Sequence, residues 1–191
     1  MNWGRSVLMR MFGRPTGVLG RLGGIIMARV NRQVAIRVID LLDVRPEDRV
    51  LEIGFGPGIG IQRLAGRAMD GFVAGIDSSP EMIKQAVARN ADAVREGRVD
   101  LRHGSAQALS FPDETFHKAI TINSMQVWPD PAAGLRKIRR VLKPGGNIAL
   151  AFTTYSGQPR NGVTESLVAI GFIKARIVDW EDAFCALASK P

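Results

Sequence analysis

One run of this 191-residue chain has the residue types and spacing to hold a ligand against bare backbone: Val50-Leu51-Glu52-Ile53-Gly54-Phe55-Gly56-Pro57-Gly58-Ile59-Gly60. Glycines at 54, 56, 58 and 60 let the chain turn tightly and approach a ligand with no Cβ in the way. An acid, Glu52, stands just ahead of them. The run is not a dinucleotide fingerprint, which needs G-x-G-x-x-G; the closing position falls on Ile59, Ile61 or Arg63 in the three registers. It is not a P-loop either, since no Gly-Lys-Ser/Thr follows. A second acid, Asp77, closes the run Ala74-Gly75-Ile76-Asp77, 19 residues after Gly58. At the end of a second strand a carboxylate can accept both hydroxyls of a ribose. A glycine loop without a full anion nest, followed by a ribose acceptor, suits a nucleoside that carries no pyrophosphate.

Other reactive groups are sparse. His103 and His117 show no partner spacing and read as structural or solvent-exposed side chains. The single cysteine, Cys185, excludes an intrachain disulfide framework and a Cys-rich zinc site. It falls in an expected terminal strand and reads as buried core. No metal is implied.

The elements that must position these groups are short β-branched runs alternating with helical stretches. Strands are expected near Arg49–Ile53, Phe72–Ile76, Val99–Arg102, His117–Ile122 and Asn147–Phe152. Two more are expected near Ile173–Trp180 and Ala183–Ala188, and helices near Gly60–Ala68, Pro80–Arg95, Ala132–Leu142 and Val163–Ile170. That order predicts an α/β, Rossmann-like, seven-stranded and mainly parallel sheet with helices on both faces. The last two strands are joined too closely for a crossover and should pair antiparallel. In such sheets ligands bind outside the carboxyl ends of the strands, at the switch point.

The length suits one compact domain. With 46% apolar and 23% charged residues the composition is that of a globular protein, not a disordered one. The formal net charge of +8 is concentrated: seven arginines (Arg5, Arg10, Arg14, Arg21, Arg29, Arg32 and Arg37) and no acid lie between Met1 and Ile39. The remainder carries 19 basic and 18 acidic residues. Residues 1–44 are therefore read as an Arg-rich helical cap or lid and 45–191 as the ligand-binding domain. Glycines 13, 17, 20, 23 and 24 argue against one long helix in the arm. No stretch approaches the ~20 apolar residues of a membrane-crossing helix, and no convincing signal-peptide cleavage site is present. From Met27 an apolar stripe (Met27, Val30, Val34, Val38, Leu41) predicts a helix packed on the core.

Four blocks together carry a family resemblance over Arg49 to Phe152: LEIGFGPGIG, GIDSSPEMI, HGSAQALSFPDETFHKAITINSMQVWPDP and RKIRRVLKPGGNIALAF. The chain resembles class I S-adenosylmethionine-dependent methyltransferases of the small-molecule "type 11" kind. The resemblance implies that Gly54, Gly56 and Gly58 lie against the methionine part of the cofactor with Glu52 beneath. It implies that Asp77 holds the ribose and that Ser78 and Met82 flank the adenine. Family members usually carry Gly-Asp-Ala after the third strand; here Gly104-Ser105-Ala106 stands there. Ser105 can accept a hydrogen bond without charge, and the Ala106 N–H can read the ring.

The loop Asn123-Ser124-Met125-Gln126-Val127-Trp128 after the fourth strand should face the methyl group and its acceptor. Asn123 and Gln126 can orient polar groups, Asn123 toward cofactor and acceptor alike. Trp128 can form an apolar or cation-attracting wall or serve as packing. Tyr155, after the fifth strand, is the best-placed candidate for a general base. Asn123 and Tyr155 are thus the catalytic candidates, and Gln126, Trp128 and Tyr155 the acceptor-binding ones. The nucleic-acid amino-methylation signature, the Cys nucleophile of pyrimidine C5 methylation and the metal ligands of catechol-type enzymes are all missing. The expected reaction is in-line methyl transfer from S-adenosylmethionine to a small-molecule or lipid-like acceptor, driven mainly by positioning. An RNA-associated protein and a non-catalytic S-adenosylmethionine binder are the competing readings; nucleic acid is the less favoured partner. The expected location is cytoplasmic, with contact to an anionic membrane through the arm as one use of its charge.

Overall fold

The computed structural model describes residues 32–191. Helix α1 covers 32–41. It is followed by β1 (Arg49–Ile53), α2 (Ile59–Arg67), β2 (Phe72–Asp77), α3 (Pro80–Arg89), α4 (Ala91–Arg95), β3 (Val99–His103) and β4 (Phe116–Ile122). Then come α5 (Pro131–Val141), β5 (Leu142–Thr153), α6 (Val163–Ala169), β6 (Ile173–Asp179) and β7 (Ala183–Ser189). The seven strands form one sheet in the order β3-β2-β1-β4-β5-β7-β6. β1 to β5 pair parallel, and β7 runs antiparallel to both β5 and β6. The expected fold class and antiparallel ending are observed.

Apolar side chains alternate between the two faces, as period-2 strands require. On one face Val50, Val73 and Ile120 pack with α1, α2 and α3 through Val34, Val38, Ile61, Leu64 and Ala86. On the other, Leu51, Ile76 and Leu150 pack with α5 and α6 through Leu135, Ile138 and Leu167. Each of these Val, Leu and Ile side chains, fully removed from water, contributes about 1.5–3 kcal/mol. The described part of the apolar stripe is therefore core: Val34 and Val38 are completely buried and Leu41 packs against the same cluster. Met27 and Val30, like the rest of residues 1–31, lie outside the described residues.

Two departures from the expected elements have local causes. The helix expected over Pro80–Arg95 divides at Asn90, whose φ of −111° leaves the helical region and caps α3. β5 begins at Leu142, not Asn147, because Leu142 pairs with Phe116 before a register shift takes up the Pro144-Gly145-Gly146 segment. Helix starts are chemically marked. The Ser79 hydroxyl accepts from the Met82 N–H (3.4 Å) and the Asp130 carboxylate from the Ala133 N–H (2.9 Å), each with proline at the first helical position.

Candidate active site

The sheet order reverses between β1 and β4, so their carboxyl ends open the switch-point crevice. Both loops singled out in the sequence emerge there. The β1 loop turns through Gly54 (φ +72°), Gly56 (φ +53°) and Gly58 (φ +82°), conformations that side chains with a Cβ rarely adopt. Gly54 also needs the space: a Cβ there would lie 2.6 Å from the Ser124 Cβ and nearer still to its hydroxyl. The loop after β4 is thus seated directly on the glycine loop.

Asp77 ties the two parallel strand ends together. One carboxylate oxygen accepts from the Gly56 N–H and the other from the Ser79 N–H, both at 2.8 Å. Burial raises its pKa above the ordinary carboxylate value, opposed by these amides and by His103. Each oxygen keeps a further lone pair for a ligand hydroxyl. The carbonyl of the neighbouring, exposed Ser78 accepts from the His103 ring at Nε2 (3.1 Å).

Glu52 is buried beneath the loop, and its Oε2 finds no hydrogen-bond partner among the described residues. Burial first, and then the Asp77 charge, push its pKa to about 8. Gly60 explains how α2 starts so close to it, since a Cβ at 60 would lie 2.5 Å from Oε2.

The remaining expected residues divide by position. Met82 is buried at the first turn of α3 and Ala106 in the turn after β3; Ser105 is half-buried beside it. Asn123 adopts φ +50°, and its side-chain oxygen accepts from the Thr153 N–H (2.8 Å) and hydroxyl (3.2 Å), fastening the end of β4 to the end of β5. Gln126 keeps a buried Oε1 without a partner among the described residues. Trp128 packs on α5, where a Cβ on Gly134 would meet its ring at 2.7 Å, and its indole N–H donates to the Ser124 hydroxyl (2.9 Å). Tyr155 stands at the same edge of the sheet with 86% of its surface exposed.

Three residues that hold the loop have no local sequence signal. The Asn90 amide donates to the Gly58 carbonyl (3.1 Å) and the Arg89 guanidinium to the Pro57 carbonyl (2.8 Å). Ser124 joins Gly54 to Trp128.

A methyltransferase-domain model matches residues 50–146, slightly more than half of the chain. The chain belongs to this methyltransferase family. A relative from Bacillus subtilis, described as the uncharacterized methyltransferase YdaC, is 32% identical over 182 residues, 89% of this chain and 98% of its own. The 27-O-demethylrifamycin SV methyltransferase of Amycolatopsis mediterranei is 35% identical over 114 residues, 60% of this chain and 42% of that one. Among solved structures, a SAM-dependent methyltransferase from Aquifex aeolicus superposes with a TM-score of 0.72 at 19% identity, over 82% of this chain and 89% of that one. The enzyme's cofactor is S-adenosylmethionine, and the donor set fits it. Asp77 offers acceptors for the ribose diol, the glycine loop offers unobstructed backbone, and the orphaned Glu52 oxygen needs a donor.

Proposed function

We propose that this methyltransferase acts on a small-molecule or lipid-like acceptor that enters over the carboxyl edge beside β4 and β5. The observation that carries the reading is the rim there, where among the described residues two large side chains stand out: Val127 is 51% exposed and Tyr155 86%. Only Thr154 to Gly162 separate β5 from α6, with no inserted subdomain. The Gln126 oxygen, buried without a partner among the described residues, supplies one polar anchor inside an apolar surround. The relatives point the same way. Besides the rifamycin enzyme, a phosphatidylethanolamine N-methyltransferase of Cereibacter sphaeroides is 33% identical over 102 residues, 53% of this chain and 49% of its own.

S-adenosylmethionine supplies a methyl group on a sulfonium, an electrophile that needs no metal. In this reading Glu52, Gly54, Gly56, Gly58, Asp77, Ser78, Met82, Ser105, Ala106 and Asn123 hold the cofactor. Gln126, Trp128 and Tyr155 orient the acceptor for in-line displacement. Orientation of this kind is worth up to about 7–11 kcal/mol of barrier, so a dedicated base is optional for an amine or thiol acceptor. In this reading Asn123 acts by fixing the ends of β4 and β5 relative to each other, and Tyr155 takes a proton from a hydroxyl acceptor. The arm's arginines 5 to 29 lie outside the described residues, and the lid we assign to them is part of this proposal. Arg37, the arginine nearest the body, instead pairs with Asp182 (2.9 Å) and lies over Trp180.

The test is transfer of labelled methyl from S-adenosylmethionine into a panel of amphipathic small molecules, phosphatidylethanolamine vesicles and RNA, with Asp77→Ala as control. Label in an organic-extractable product, lost in the control, supports the reading. Label confined to RNA overturns it.

A further inference from the structure

We infer that Glu52 reads the amino-acid end of the cofactor through a proton: it stands protonated in the ligand-free enzyme and releases that proton to solvent when an α-ammonium group enters. The inference rests on the reading that S-adenosylmethionine binds at this loop. It concerns what Glu52 does there, which the family assignment leaves open.

Among the described residues the geometry gives Glu52 no countercharge. Its register neighbours in the sheet are Gly75 on β2 and Ile120 on β4, neither of which can pair with it. From α2 it meets Gly60, a residue with no side chain. The one ionisable group among the described residues that bears on it is Asp77, a like charge. Asp77 is the better-supported anion of the two, because it takes the Gly56 and Ser79 amides and lies near His103 on β3. Of the charges of α1, Arg37 pairs with Asp182 and Asp40 with Arg67, and Arg32 is exposed at the helix start.

Two buried carboxyls side by side cannot both ionise cheaply, so their environments divide the roles. Asp77 keeps the charge and Glu52 the proton, in line with a pKa of about 8 caused by burial and by Asp77. At pH 6.5 that leaves Glu52 more than about nine-tenths protonated. An arriving ammonium is a donor for the orphaned Oε2 and a countercharge for the anion. It supplies the donor and the countercharge whose lack makes the buried anion costly, and so favours loss of the proton. The device also discriminates, since a nucleoside thioether lacking the amino-acid tail brings nothing that could discharge the proton.

The experiment is titration calorimetry at pH 6.5 in two buffers of different ionisation enthalpy. The ligands are S-adenosylhomocysteine and methylthioadenosine. We expect S-adenosylhomocysteine to release about 0.9 proton per site and methylthioadenosine close to none. In Glu52→Gln the release with S-adenosylhomocysteine falls close to zero. Its affinity also stops rising with pH between about 5.5 and 7.5, where the parent gains up to roughly tenfold per unit. Binding of S-adenosylhomocysteine without proton release, or equal release in Glu52→Gln, overturns the inference while leaving the cofactor site standing. No binding of S-adenosylhomocysteine by the parent overturns the cofactor reading and this inference together. Should Glu52→Gln fail to fold, the comparison of the two ligands on the parent still decides, because equal release from both contradicts the proposed reader.

Discussion

Replacing Gly54 with alanine should damage the enzyme in two separable ways. The first is conformational: at φ +72° an alanine carries the left-handed penalty, about 1–2 kcal/mol. The second is steric, because the new Cβ would sit 2.6 Å from the Ser124 Cβ and closer to its hydroxyl; overpacking of this kind costs about 1–3 kcal/mol. Together they predict a loss of roughly 2–5 kcal/mol, or a melting temperature lower by about 4–20 °C for a domain of this size. The two parts separate in a Ser124→Gly background, where the overlap is gone and the backbone penalty remains. Gly54→Ala should cost only about 1–2 kcal/mol there. Ser124→Gly by itself orphans the Trp128 indole N–H and should cost about 1–3 kcal/mol, which is why the comparison is made within the cycle. Denaturant unfolding of the four proteins supplies the numbers. An equal cost of Gly54→Ala in both backgrounds would refute the seating of the β4 loop on the glycine loop. A negligible cost in both would refute the loop geometry as well.

Three further outcomes follow from the same structure. The His117 ring faces the Arg49 N–H at Nδ1 (2.9 Å) and the Lys143 ammonium at Nε2 (2.8 Å). Burial, then Lys143, hold its pKa below the ordinary value against the pull of Asp48. The unfolded chain therefore takes up the proton first. This contribution to stability is complete above about pH 6.5 and lost as the pH falls toward the folded pKa; denaturant midpoints for the parent and His117→Gln should converge in that window. Cys185 is fully buried with its thiol pushed up to about 12, so a thiol reagent at neutral pH should label it only at the rate of unfolding. Fast labelling of folded protein would contradict that burial. Asn90→Ala removes the donor to the Gly58 carbonyl and should weaken S-adenosylhomocysteine binding several-fold while costing about 1–3 kcal/mol of stability; unchanged affinity would show that the loop does not depend on α3.

Much of this architecture is legible in the chain because its strands are short apolar runs bounded by turn residues. β1 falls where the pattern puts it, and β2, β3, β4, β6 and β7 lie within a residue or so. Glu52, the glycines and Asp77 are legible for a similar reason: they sit at the ends of adjacent parallel strands, and the sheet brings them together. What escapes is held by contacts between residues far apart in the chain. Arg89 and Asn90 reach back 32 residues to the loop carbonyls, and Asn123 spans 30 residues to Thr153. No local period records such pairs. Trp128 shows the limit for single residues. Its type permits a substrate wall, but only the structure shows its ring packed on Gly134 and its N–H bonded to Ser124.

The most direct test of the account is the equilibrium binding of S-adenosylhomocysteine to the parent, to Asp77→Ala and to Lys143→Ala, with thermal melts confirming that each is folded. The central claim is that a nucleoside cofactor sits at the carboxyl edge between the glycine loop and Asp77. It predicts one site per chain, affinity reduced about 10–100-fold in Asp77→Ala, and no change in Lys143→Ala, whose side chain bonds His117 near the start of β4 at the opposite edge. Affinity that survives in Asp77→Ala but falls in Lys143→Ala would contradict it.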